Sequence, residues 1–131
     1  MPLNPAKDSV DLGIVVSDIT KSLDFYEGML GLEKSEELPT PFGALHRLHF
    51  GKSDIKLIDP KTVPPVGTIG LEKQLGFRYI TFVINDISAL CAELKDKGVE
   101  FAIPETEFRP GVRIAMVKDP DGNIVELVQR G

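Results

Sequence analysis

Cysteine is nearly missing from this chain of 131 residues, with Cys91 its single copy. No disulfide framework and no cysteine-based zinc site can form within the chain. Cys91 falls on a helix-period stripe, where a small buried hydrophobe is expected. Excess positive charge is lacking as well: 15 Lys and Arg against 20 Asp and Glu leave a formal charge of -5, which disfavours nucleic acid and anionic membrane as partners. No apolar run reaches the length of a bilayer span. The start, Met1-Pro2-Leu3-Asn4-Pro5-Ala6-Lys7, has no apolar core of signal-peptide length, so a cytoplasmic protein is the expectation. Histidine is scarce too. His46 and His49 stand three apart on one expected strand, so their side chains point to opposite faces and cannot both enter one site. Parity alone does not say which one faces a site.

What is present is an ordinary globular composition, 42% hydrophobic and 27% charged, in a length that suits one domain with its own core. It also contains a repeat. Val10-Asp11-Leu12-Gly13-Ile14-Val15-Val16-Ser17-Asp18-Ile19 returns as Arg78-Tyr79-Ile80-Thr81-Phe82-Val83-Ile84-Asn85-Asp86-Ile87. Each copy is an alternating apolar strand, an Asp at a helix-start position and a helical pattern. Asp18 and Asp86 are 68 residues apart, so each copy opens one half of the chain.

Taken in order, residues 9–17 read as a strand with Leu12, Ile14 and Val16 on its apolar face and Asp11, Gly13 and Val15 opposite. Asp18 caps a helix whose stripe is Ile19, Leu23, Tyr26 and Leu30, stopped at Gly31. Residues 32–38 form a second strand closed by Pro39-Thr40-Pro41, 44–50 a third, and 55–59 a fourth after a tight turn at residues 51–54. Residues 60–76, with three prolines and three glycines, link the halves, with one helical turn expected at 71–75. Residues 78–84 form a strand with Ile80, Phe82 and Ile84 on its apolar face and Tyr79, Thr81 and Val83 opposite. Asp86 caps a helix with the stripe Ile87, Leu90, Cys91 and Leu94, stopped by Gly98. Residues 99–103 form a short strand ending at Pro104. Residues 112–118 and 124–129 form a hairpin through Asp119-Pro120-Asp121-Gly122-Asn123, the chemistry of a type I turn with a glycine bulge. The expected class is α+β: two tandem β-α-β-β-β units, residues 8–60 and 77–131 joined by the linker 61–76, forming a cup-shaped mixed sheet in one domain. If Glu126 and Lys56 also look into the cup, Asp11, Lys56, Tyr79 and Glu126 converge there.

Four local matches carry a family resemblance: Val15-Val16-Ser17-Asp18 with Ser22-Leu23-Asp24-Phe25-Tyr26; Leu30-Gly31-Leu32-Glu33; Phe82-Val83-Ile84-Asn85-Asp86; and Asp119-Pro120-Asp121-Gly122-Asn123-Ile124-Val125-Glu126-Leu127. Across residues 9–129 the chain resembles the vicinal oxygen chelate superfamily of glyoxalase I, bleomycin resistance proteins and extradiol dioxygenases. The fold hosts lyases, epimerases, oxygenases and drug binders, so the resemblance is not specific for an activity.

Metal-dependent members of that superfamily place His or Gln on the first strand, Glu on the fourth, His on the fifth and Glu on the eighth. The resemblance puts Asp11, Lys56, Tyr79 and Glu126 at those positions. A protonated Lys56 has no lone pair to give, and the Tyr79 phenol is largely protonated at neutral pH. No metal cofactor is therefore expected. If a divalent ion does bind, its donors are Glu126, Asp11 and one of His46 or His49. Three functions follow. The first is a metal-independent lyase or isomerase with Asp11 or Glu126 as base and Lys56 or Tyr79 stabilising negative charge. The second is an antibiotic-sequestering binder using Phe42, Tyr79 and Phe108, with Arg78, Arg109 or Arg113 at the rim. The third is a metal lyase or dioxygenase with non-standard ligands. The implied partners are a small molecule and a second copy of the chain in a homodimer.

Overall fold

The computed structural model describes residues 2–131. They fall into two compact units that divide between Pro65 and Val66. In the first, β1 (Leu12–Val15) leads through α1 (Ile19–Leu23) and a wider π-helical stretch, Asp24–Met29, to β2 (Glu33–Thr40), β3 (Gly43–Phe50) and β4 (Ser53–Pro60). The strand order is β1-β4-β3-β2, with β1 parallel to β4 and the other pairs antiparallel. In the second unit, β5 (Tyr79–Val83), α2 (Ile87–Asp96), β6 (Phe101–Arg109), β7 (Val112–Lys118) and β8 (Ile124–Arg130) repeat that plan in the order β5-β8-β7-β6. The two β-α-β-β-β units expected from the repeat are both present.

The two helices start differently despite matching Asp residues. Asp18 is extended and its Oδ1 accepts from the Lys21 N–H at 3.2 Å, an ordinary N-cap. Asp86 is left-handed at φ 56° and makes no capping bond. Gln129 on β8 does that work instead, its Oε1 accepting from the Ile87 N–H at 2.8 Å. The α1 stripe also shifts. After Leu23 the backbone widens, and Ser22, Phe25 and Tyr26 become the buried residues, with the Phe25 and Tyr26 rings edge-to-face at 4.9 Å.

Both prolines expected to close strands lie inside them. Pro39 is within β2 and Pro104 within β6. Each strand is the outermost of its sheet, where a missing N–H need not break a ladder bond, and Pro104 falls in a register shift between Ile103 and Thr106. Gly43 turns the chain from β2 into β3 at φ 136°, and a Cβ there would stand 2.1 Å from the Asp59 carbonyl oxygen, so glycine is required. The regular part of β1 is shorter than residues 9–17. The helical turn expected at 71–75 does not form; that stretch folds back through bonds from Thr68 N–H to Gln74 Oε1 and from Arg78 Nη1 to the Thr68 and Gly70 carbonyls.

In each unit one sheet face carries the core. Ile55, Leu57 and Leu48 join Val16, Phe25 and Tyr26 in the first; Phe82, Ala115, Val117, Val125 and Leu127 join Ile87, Cys91 and Leu94 in the second. The opposite, open face of each sheet carries the polar residues of interest.

Candidate functional site

Register assigns every candidate to a face, because directly paired residues share one. In the first unit, Leu57 pairs with His46 and Ile55 with Leu48 on the core face. Lys56 pairs with Arg47 and with Gly13, Asp54 with His49, and Ile58 with Leu45 and Val15 on the open face. Asp11, two residues before Gly13, lies on that open side: its Oδ1 accepts from the Asp54 N–H at 2.9 Å. Asp11 and Lys56 therefore share a face, as expected.

Their relation differs from the expected one. The cation bound to Asp11 is Lys7, whose Nζ reaches Oδ1 at 2.7 Å and also donates to the Lys52 carbonyl. Lys7 foremost, then the Asp54 N–H, hold the Asp11 carboxyl below its usual range; Lys56 contributes least, through space. Sequence reasoning missed Lys7 because its lead-in shows no periodicity. The signal was the i,i+4 spacing of opposite charges, which becomes a contact because Ser9 and Lys7 are both tied to the Lys52 carbonyl of the β3–β4 turn.

The open face of this unit also holds a charged chain that sequence reasoning did not identify. Glu36 Oε1 accepts from Arg47 Nε at 2.8 Å, Arg47 Nη1 donates to Asp54 Oδ2 at 2.7 Å, and Asp54 Oδ1 meets His49 Nδ1 at 2.7 Å. The Arg47 guanidinium first, then His49, lower the Asp54 carboxyl against the opposing effect of burial. His46, by contrast, is on the core face with its side chain 7% exposed; its Nδ1 lies 3.2 Å from Glu37 Oε1 without the alignment of a hydrogen bond. His46 therefore cannot join Asp11 in a metal site, and the histidine on the open face is His49.

In the second unit, Tyr79, Thr81 and Val83 pair with Ile124, Glu126 and Val128, and all six share the face opposite the helix, where Ile124 and Val128 are buried and Tyr79 and Val83 exposed. Tyr79 is exposed, and Glu126 Oε1 accepts from the Thr81 hydroxyl at 2.7 Å. Tyr79 and Glu126 are thus on one face, as expected, with Thr81 as an unforeseen partner. Arg113 is not a rim residue. It pairs with Gln129, the residue that caps α2, and its Nε donates to Glu105, which also accepts from Ser88. Arg78 is committed to loop carbonyls. Phe42 and Phe108 are exposed. A cleft of about 120 Å³ among Thr68, Ile69, Arg78, Asn123 and Ile124 is well below the roughly 300–1,000 Å³ of small-molecule sites. Among the described residues, no three His, Cys, Asp or Glu side chains form a group that could hold a metal ion, and no helix is long and apolar enough to cross a membrane.

Two four-stranded sheets of matching order, each with a helix packed on one face, define the tandem β-α-β-β-β class. Residues 9–127 match the family model of the Glyoxalase/Bleomycin resistance protein/Dioxygenase superfamily, and the chain belongs to that superfamily. It is 31% identical over 119 residues to a probable lactoylglutathione lyase of Synechocystis sp., covering 88% of this chain and 90% of the relative. It is 28% identical over 126 residues to the mitochondrial methylmalonyl-CoA epimerase of Homo sapiens, covering 90% and 67%. The crystal structure of TnmS3, an antibiotic binding protein from Streptomyces sp. CB03234, superposes with a TM-score of 0.70 at 30% identity, covering 98% of this chain and all of that one.

Proposed function

We propose that this chain binds a small organic molecule without a resident divalent metal. The observation that carries the proposal is the state of the four positions where metal-dependent relatives place ligands. Lys56 offers an ammonium with no lone pair. Tyr79 offers a phenol where those relatives place an imidazole. Asp11 Oδ1 is already shared by the Lys7 ammonium and the Asp54 N–H. Glu126 keeps the usual residue, with Oε1 accepting from Thr81. At those positions each unit supplies a single carboxylate, already engaged, against the six to eight oxygens a hard cation takes. The residues do not fit the metal, and lyase or isomerase chemistry would have to come from the chain's own acids and bases.

The antibiotic-binding neighbour supports a binding role because it aligns along nearly the whole of both chains at 30% identity. A homodimer is proposed with it, to be checked by light scattering on the eluted protein. The deciding experiment is metal analysis of protein purified without chelator, paired with calorimetric titration of aromatic antibiotics, bleomycin among them, with and without EDTA. The expected result is far less than one metal per chain and a binding isotherm that EDTA leaves unchanged. Stoichiometric metal that is lost in Glu126→Ala would overturn the proposal.

A further inference from the structure

Three ties order the loop of residues 67–78 that leads into β5. Arg78 Nη1 donates to the Thr68 and Gly70 carbonyls at 3.2 Å each, and the Thr68 N–H donates to Gln74 Oε1 at 3.0 Å. Ile69 lies so close against Gly122 of the β7–β8 turn that a Cβ there would stand 2.9 Å from Ile69 Cδ1. The loop also bends at Gly70 (φ 130°) and Gly76 (φ 108°), conformations that glycine adopts without strain. Ties and bends fix one shape, and that shape sends the largest apolar side chains outward. Leu75 is 97% exposed and Phe77 96%, with Val66 more than half exposed beside the loop's start. Single exposed apolar residues are ordinary; two large ones, two residues apart in a loop that is held rather than slack, make a patch. Glu72 and Lys73 flank it, exposed and of opposite sign, and neither makes a hydrogen bond or ion pair among the described residues. The Lys73 stem crosses Gly70, filling the space a Cβ there would take.

We propose that this loop is a self-association surface, where Leu75 and Phe77 of one copy bury against the same residues of a second copy across a two-fold axis. The proposal rests on the homodimer given with the binding reading and names the surface that makes it. Charge favours a second copy as the occupant. A two-fold contact presents the same patch from both sides, so Glu72 comes opposite the partner's Lys73, and Lys73 opposite the partner's Glu72. Two pairs of opposite charge then rim an apolar centre. Area sets the strength. The two phenylalanines bring about 300–500 Å². Leu75, Val66 and the Lys73 stem of each copy take the total to on the order of 1,000 Å², the low end of specific interfaces. The dimer is therefore weak and reversible, of micromolar affinity or looser, and the monomer carries the patch in water at low concentration. A loop already fixed in shape lowers the ordering cost of the contact.

The test is sedimentation equilibrium of the full chain, loaded from low micromolar to near-millimolar concentration in low salt, where exposed charges are least screened. The native chain should pass from monomer to dimer across that range. Phe77→Ser and Leu75→Ser should each raise the dissociation constant about tenfold or more. Both should keep Tm within about 2 °C of the native value, because these side chains stand in solvent in the monomer. Glu72→Lys and Lys73→Glu should each weaken the dimer severalfold, and the double variant Glu72→Lys/Lys73→Glu should regain the native affinity. A native chain that stays monomeric to the highest concentration would overturn this proposal and the homodimer together. A dimer that Phe77→Ser and Leu75→Ser leave at native affinity would overturn the surface and leave the homodimer standing. So would a double charge variant no tighter than the single ones.

Discussion

Asp119 opens the β7–β8 turn with its carboxylate directed inward. It is 5% exposed, and its Oδ1 accepts from the N–H groups of Asp121 at 2.9 Å and Asn123 at 2.8 Å, while Oδ2 accepts from Asn123 Nδ2 at 2.9 Å. Asp119→Ala removes both acceptor oxygens and these three hydrogen bonds. Asn123 Nδ2 can rotate to water, so the principal loss is at the two backbone donors, each worth about 1–2 kcal/mol when its charged partner is removed. The expected cost is therefore about 2–4 kcal/mol. With an unfolding entropy of about 2.1 cal/mol/K per residue over 131 residues, 3 kcal/mol lowers Tm by about 10 °C. Asp119→Asn keeps an acceptor for the backbone donors but turns an amide against Asn123, and should cost about a third as much. Calorimetry or circular dichroism melts of the three proteins at pH 7 decide it. A fall under about 3 °C in Asp119→Ala would refute the reasoning. The turn would then be held by its backbone pairs alone, Gly122 N–H to Asp119 O at 3.0 Å and Asp119 N–H to Asn123 O at 2.9 Å.

Gly43→Ala should prevent accumulation of folded protein or cost upwards of about 3 kcal/mol in urea unfolding, since its Cβ would enter the Asp59 carbonyl; a variant of native stability would show that the β2–β3 turn can shift. Gln129→Ala should cost about 1 kcal/mol, the usual value of a helix cap, and speed amide exchange at Ile87; unchanged exchange there would count against the cap. Asp54 and Glu105 both have carboxyls held below their ordinary values of 3.8 and 4.5, chiefly by Arg47 in the one case and by Ser88, then Arg113, in the other. Groups lowered by folding contribute fully above the ordinary value and lose that contribution as pH falls through the lowered one. Urea midpoints should therefore hold from pH 7 to 5 and decline below about pH 4; a midpoint that rises on acidification would contradict the pairing.

The repeat made the element order legible because period-2 apolar runs and 3.6-period stripes survive whatever packs on them. Cys91, Ile87 and Leu94 are buried where the stripe put them. What was not legible depends on partners distant in sequence. Asp18 and Asp86 look alike along the chain, yet Asp86 yields its capping role to Gln129, which arrives from β8. Pro39 and Pro104 read as strand ends until the strand order shows that both lie at outer edges. Alternation alone put Asp11 and Tyr79 opposite the apolar side of their strands, while the facing of Lys56 and Glu126 needed the ladder registers. The choice between His46 and His49 needed the β3–β4 register, although the parity His49 shares with Arg47, a charged side chain, was a usable hint. Lys7 was invisible because its bond to Asp11 exists only once the β3–β4 turn lies alongside the lead-in.

The edges of these sheets bear on how the protein behaves at high concentration. Each sheet has one outer strand interrupted by proline, β2 at Pro39 and β6 at Pro104, and one that is short, β1 with four residues and β5 with five. Such edges are poor templates for an incoming strand. Copies of the chain therefore have little means of zipping backbone to backbone into filaments, and an assembly must be made through side chains. Replacing Pro39 with threonine would restore a donor to an outer strand, and slow fibre growth, absent in the parent, is the behaviour to look for.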